Sequence, residues 1–185
     1  MAIDRIDWHW DSVTDATSDD EHWEGAGAHI GYYLEWAFRR GFANTEIHGS
    51  TDEVENIFDS GVNGVQFLID YCDTKFCDDN LNEEGQRFTS YAYDKYVENF
   101  EKITGHKMYT KNYNQQDLQA VSKYLDEIYE KYLNNPQQIQ AKNESRNAIN
   151  EKIHSSKLNQ IVLITFVLGI FAVMIYGIVL AVTLI

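Results

Sequence analysis

The chain has 185 residues and a formal net charge of −14, and the acidity is concentrated at one end: residues 1–90 carry 20 Asp and Glu against 5 Lys and Arg, whereas residues 91–160 carry 9 against 10. An acidic first half repels phosphate, which excludes nucleic acid and anionic lipid as partners of that surface and favours a basic protein or a cation. Once an apolar C-terminal tail is set aside, roughly 130–160 residues remain for one ordinary domain.

Met1–Trp10 lacks an apolar export segment and is already charged at Asp4, Arg5 and Asp7, so the domain is expected to stay in the cytoplasm. Read as extended chain, the segment puts Asp7, His9 and Asp11 on one face, and Trp8 and Trp10 on the other, where they would cover a helix while presenting a polar edge. Asp11–Glu24, acidic and rich in turn formers, reads as a solvated loop. Imidazole and carboxylate are ligands that zinc, iron and manganese use, which makes Asp7, His9, His22 and His29 the candidate metal ligands. No H-x-x-x-H, H-E-x-x-H or C-x-x-C spacing accompanies them. Gly25 to Ala28 allow close backbone approach ahead of His29, but no P-loop lysine is present to make a phosphate cradle. Ser12, Ser18 and Ser50 lack a nucleophile elbow, so no catalytic residue is assigned and no cofactor is expected.

The predicted helices follow apolar recurrence at three and four residues. Ile30, Tyr33, Leu34, Ala37 and Phe38 mark a helix over residues 28–40, stopped by Gly41. Thr51 is the expected N-cap of a second helix carrying Val54, Ile57 and Phe58, and Val65, Leu68, Ile69 and Cys72 mark a third. Asn82 opens a longer one with Phe88, Tyr91, Ala92, Tyr96, Phe100 and Ile103 on its inner face, closed by Gly105. Residues 107–113 suit an extended connector or a short strand. Asp117 and Leu118 open the last helix, with Val121, Leu125, Ile128, Tyr129 and Tyr132 on one side, ended before Pro136. Cys72 falls on an apolar face and reads as a small buried hydrophobe, and with Cys77 it makes only half of a structural zinc site.

Pro136 divides a soluble helical domain, 1–135, from a polar stalk, 136–160, and Ile161 to Ile185 contain no charged side chain. As a helix the last segment is roughly 37 Å long against a hydrocarbon core of about 30 Å. It is read as a single transmembrane anchor, and the basic residues Lys142, Arg146, Lys152 and Lys157 beside it place the domain on the cytoplasmic face of the inner membrane. Within the anchor Gly169 and Gly177 are separated by Val173, an imperfect close-packing motif, so the oligomeric state stays open.

Two stretches resemble a widespread uncharacterised bacterial domain family. Asp7-Trp8-His9-Trp10 followed by Ala28-His29-Ile30-Gly31-Tyr32-Tyr33-Leu34-Glu35-Trp36 matches its W-H and H-I-G-x-x-x-x-W pattern, and Glu83-Glu84-Gly85-Gln86-Arg87-Phe88 matches its E-E-G-x-R-F stretch before a tyrosine-rich helix. The resemblance covers roughly residues 4–133 and implies no activity. The acidic insert before Glu24 and the tail depart from the pattern.

The expected architecture is mainly α: a compact multi-helix cytoplasmic domain with room for one short extended pair, plus the C-terminal transmembrane helix. The expected function is a membrane-anchored protein-binding module, of the kind an immunity-type inhibitor provides, whose acidic surface docks a basic partner through Trp8, His9, Trp10, Trp23, His29, Tyr33 and Trp36. The alternative is a metal-dependent enzyme using the N-terminal His and Asp residues.

Overall fold

The computed structural model describes residues 1–135, in which the chain runs β1 (Ala2–Arg5), a 3-10 helix (Ile6–Ser12), α1 (Asp19–Arg39), α2 (Thr45–His48), α3 (Thr51–Asp59), α4 (Gly64–Cys72), β2 (Lys75–Cys77), a short 3-10 turn (Asp78–Asn80), α5 (Glu83–Thr104) and α6 (Gln115–Leu133). Met1–Leu133 form one compact unit, mainly helical with a short antiparallel strand pair. No helix among the described residues is long and apolar enough to cross a membrane. The stalk over 136–160 and the apolar segment 161–185 lie outside the described residues.

α1 is the axis of the domain. Its residues from Gly25 to Phe38 are all buried, so it is enclosed on every side rather than amphipathic. α4, α6, α3 and the N-terminal 3-10 helix pack around it. The helix begins nine residues before the predicted start: Ser18 is the N-cap, its hydroxyl accepting from the Glu21 amide, and Asp19, Asp20 and Glu21 occupy the first turn. Carboxylates there complement the exposed amides and the positive end of the dipole, so half of the expected acidic loop is the helix start.

Close packing explains the small residues. A Cβ on Gly31 would lie 2.6 Å from the Val65 nitrogen and 2.9 Å from the Gly64 carbonyl carbon, so α1 and α4 cross backbone to backbone. A Cβ on Gly27 would meet the Ile6 and Val65 side chains, which shows that Ile6 seats the N-terminal 3-10 helix against α1.

The strand pair unites segments some seventy residues apart: Ala2 faces Cys77, Asp4 faces Phe76 and Arg5 faces Lys75, with a register irregularity between Ala2 and Asp4. Residues 107–113, a candidate for extended structure, instead form turns, because Gly105 caps α5 in the left-handed region at φ 78° and redirects the chain. The caps of the other long helices are local. Ser50, one residue before the expected Thr51, makes a capping box with Glu53, and Asn82 accepts from the Gly85 amide. Aromatic side chains of α1, α5 and α6 fill the space between these helices, among them Tyr33, Trp36, Phe88, Tyr93, Tyr96 and Tyr129. Cys72, the last residue of α4, is buried beside Asn80 as a small hydrophobe, and burial pushes its thiol up to about 12.

Candidate functional site

Three elements bring ionisable groups together inside this core. Asp4 comes from β1, where the register irregularity precedes a side chain that is only 7 % exposed. His9 comes from the 3-10 helix and His29 from the middle of α1. Their ligand-type atoms all lie within 4.8 Å of one another.

Asp4 Oδ1 accepts from the Arg5 amide at 2.7 Å and from His9 Nε2 at 2.6 Å, and Oδ2 accepts from the Tyr93 hydroxyl of α5 at 2.8 Å. Burial pushes the Asp4 carboxyl upward, but the surrounding histidines and Tyr93 outweigh it and hold the carboxyl well below the usual carboxylate range. His29 is 1 % exposed. Its Nε2 lies 3.3 Å from Asp4 Oδ2 but is misaligned for a hydrogen bond, so both of its ring nitrogens lack a hydrogen-bond partner among the described residues. Burial lowers the His29 pKa, with Asp4 opposing.

The His9 ring stands edge-on to His29, with centroids 4.6 Å apart, and its Nδ1 is 2.9 Å from the Tyr109 hydroxyl. An ionised carboxylate can only accept, so His9 Nε2 carries the proton it shares with Asp4. In a neutral ring Nδ1 then accepts from Tyr109. A cavity of about 550 Å³, whose walls include Asp78, Asp94 and Glu98, reaches Asp4 and Tyr93.

The remaining candidates lie elsewhere. Asp7 accepts from Arg5 Nε at 2.8 Å at the surface. His22 packs flat on Trp10, with centroids 4.0 Å apart, and its Nε2 is 2.7 Å from the Trp10 carbonyl oxygen, while Trp23 meets Trp10 edge-on. Because the N-terminal segment is a 3-10 helix and not extended, Trp8 and Trp10 diverge: Trp8 is 57 % exposed, whereas Trp10 covers His22. Tyr33 and Trp36 are core residues whose polar atoms donate to Thr89 and Asp126. Asp4, Tyr93 and Tyr109 escaped the sequence reading. An acid between Ile3 and Ile6 was a weak signal for Asp4, and nothing local marked Tyr109.

Fold and site together define a small helical domain organised around a buried histidine–carboxylate centre. The chain belongs to the family described as Domain of unknown function (DUF7832), which matches residues 2–139. No curated protein and no solved structure matches the chain.

Proposed function

We propose that this domain binds a divalent transition metal of the zinc or iron(II) class, with His9, His29 and Asp4 as its protein ligands, and that the metal is its working centre. The observation that carries this reading is His29: a fully buried imidazole whose Nδ1 has no partner among the described residues, and whose Nε2 has only the misaligned contact with Asp4, is costly unless something completes its bonding. The donors suit the ion. Two imidazoles and a carboxylate form a set with open positions for water or substrate, as in catalytic rather than closed structural sites. An ion with bonds of about 2.0–2.2 Å keeps its donors roughly 3–3.5 Å apart, so the Asp4–His9 pair, now 2.6 Å apart, must open and the wider pairs, up to 4.8 Å, must close. The acid-walled cavity gives a cation a favourable approach to Asp4.

Elemental analysis and Zn²⁺ competition titration of the purified full chain test this. Stoichiometric metal in the wild type, lost in His9→Ala and His29→Ala, is expected, and a wild type that takes up no zinc, iron or manganese refutes it.

A second reading, docking of a basic protein, is favoured by Trp8, an exposed aromatic with Asp7 and Asp11 beside it on the same 3-10 helix. Binding to a candidate partner should then weaken with salt and with Trp8→Ala, and salt-independent binding counts against it. In either reading residues 161–185 serve as the anchor that holds the domain at the cytoplasmic face of the inner membrane. Fractionation with and without those residues, followed by protease accessibility in spheroplasts, tests that placement.

A further inference from the structure

Tyr109 touches the centre without belonging to the ligand set. It sits between α5 and α6 with φ at 67°, a left-handed backbone that a bulky aromatic residue rarely adopts. Its hydroxyl is 2.9 Å from His9 Nδ1, its ring stacks on His9 at 5.4 Å, and it meets His29 edge-on at 5.6 Å.

The connection that carries it is tied down on both sides. His106 Nε2 is 2.7 Å from Asp117 Oδ2, the Asn114 amide donates to the Tyr32 hydroxyl at 2.9 Å, and the Thr110 hydroxyl donates to the Lys107 carbonyl at 2.7 Å. Tyr109 also lines a cavity of about 440 Å³ with Lys111, Tyr113 and Asn114. The strained backbone is therefore over-determined by its neighbours, and what it delivers is a hydroxyl on the second nitrogen of His9.

In the neutral, metal-free ring Nε2–H donates to Asp4 and Nδ1 accepts from Tyr109. A metal at Nε2 takes the lone pair on that atom, so the Nε2 proton passes to solvent and a neutral ring takes up a proton from solvent at Nδ1. The Tyr109 oxygen must then accept the bond in which its hydrogen formerly donated, and its own hydrogen turns away from the His9 ring. A phenol can do both without moving its oxygen.

We infer that Tyr109 is a positioning residue of the metal centre, its hydroxyl holding the His9 ring in both tautomers by exchanging donor and acceptor roles, an assignment that rests on the metal reading proposed above. Metal-bound histidines depend on such a partner at their other nitrogen, and losing it weakens metal binding by about 10–100-fold.

The test uses the full chain in mild detergent, labelled with ¹⁵N-histidine, and Zn²⁺ as the probe. Long-range ¹H–¹⁵N spectra should find the His9 proton on Nε2 without metal and on Nδ1 with Zn²⁺, and Tyr109→Phe should bind Zn²⁺ about 10–100-fold more weakly with its melting temperature little changed. A wild type that binds Zn²⁺ but already carries the proton on Nδ1 without metal overturns the role of Tyr109 and leaves the metal reading intact. So does a Tyr109→Phe variant that binds as tightly as wild type. If Tyr109→Phe fails to fold, the Nδ1 ¹⁵N shift of His9 in the metal-free wild type decides: a shift displaced from that of a free acceptor nitrogen supports the bond from Tyr109, and an undisplaced one overturns its role. A wild type that takes up no Zn²⁺ overturns the metal reading and the exchange together, and the wild-type titration itself distinguishes that outcome from the others.

Discussion

Gly31→Ala tests the backbone crossing on which the centre depends, because α1 also carries His29. The added Cβ would lie 2.6 Å from the Val65 nitrogen and 2.7 Å from Val65 Cγ2, where ordinary contact begins at 3.4 Å, so the helices must part by several tenths of an ångström. The Val65 nitrogen belongs to the α4 backbone and cannot rotate aside. Overpacking of this kind costs about 1–3 kcal/mol, and the upper end applies where backbone is met. Alanine in mid-helix returns about 1 kcal/mol of propensity, which leaves a net loss of about 2 kcal/mol. Gly27→Ala is the control. Its Cβ would meet Ile6 Cδ1 at 2.9 Å and Val65 Cγ1 at 3.0 Å, both side-chain ends. Their adjustment should roughly cancel the propensity gain of about 1 kcal/mol. With a urea m-value of about 2 kcal/mol/M, Gly31→Ala should unfold about 1 M earlier than the control when followed by circular dichroism. A Gly31→Ala variant as resistant to urea as Gly27→Ala would refute the close crossing.

Acid should destabilise the domain first through His29. Its folded pKa is depressed by burial, so below the ordinary value of about 6.5 the unfolded chain binds more protons than the folded one, and stability falls with pH by up to about 1.4 kcal/mol per unit. Urea midpoints at pH 7, 6 and 5 measure this, and the fall should flatten in His29→Gln; an unchanged slope would show that another group carries it. The depressed Asp4 carboxyl acts in the same direction, but its contribution is complete above the ordinary value of about 3.9 and is lost only in stronger acid. Asp4→Asn keeps the shape but removes the charge and turns one of the two oxygens, Oδ1 accepting from His9 and the Arg5 amide and Oδ2 from Tyr93, into a donating NH2. It should cost about 1–3 kcal/mol in urea unfolding and abolish Zn²⁺ uptake, and an Asp4→Asn protein as stable as wild type would show that the buried charge is unimportant to the fold.

The sequence by itself determined whatever depends on neighbours within a few residues. Apolar spacing marked Val54 to Phe58, Val65 to Cys72, Phe88 to Ile103 and Val121 to Tyr132 as helix faces, and Asn82 and Gly105 as the ends of α5, because periodicity and caps act across one or two turns. The same logic places the uncharged segment at 161–185. Where local signals conflicted, the polar residues misled: Asp19 to Glu24 looked like loop, although Ser18 followed three residues later by Glu21 carried the pattern of a helix start.

Only the tertiary structure decided the centre. It put His9 beside His29 and supplied Asp4 instead of Asp7 or His22, because Ile6 seats the 3-10 helix against Gly27 while β1, paired with a strand some seventy residues away, carries Asp4 inside. Tyr93 and Tyr109 reach that carboxylate and imidazole from elements about ninety and a hundred residues downstream. A carboxylate is tolerated in a core only when donors from distant segments surround it, and no local pattern records where such donors will arrive.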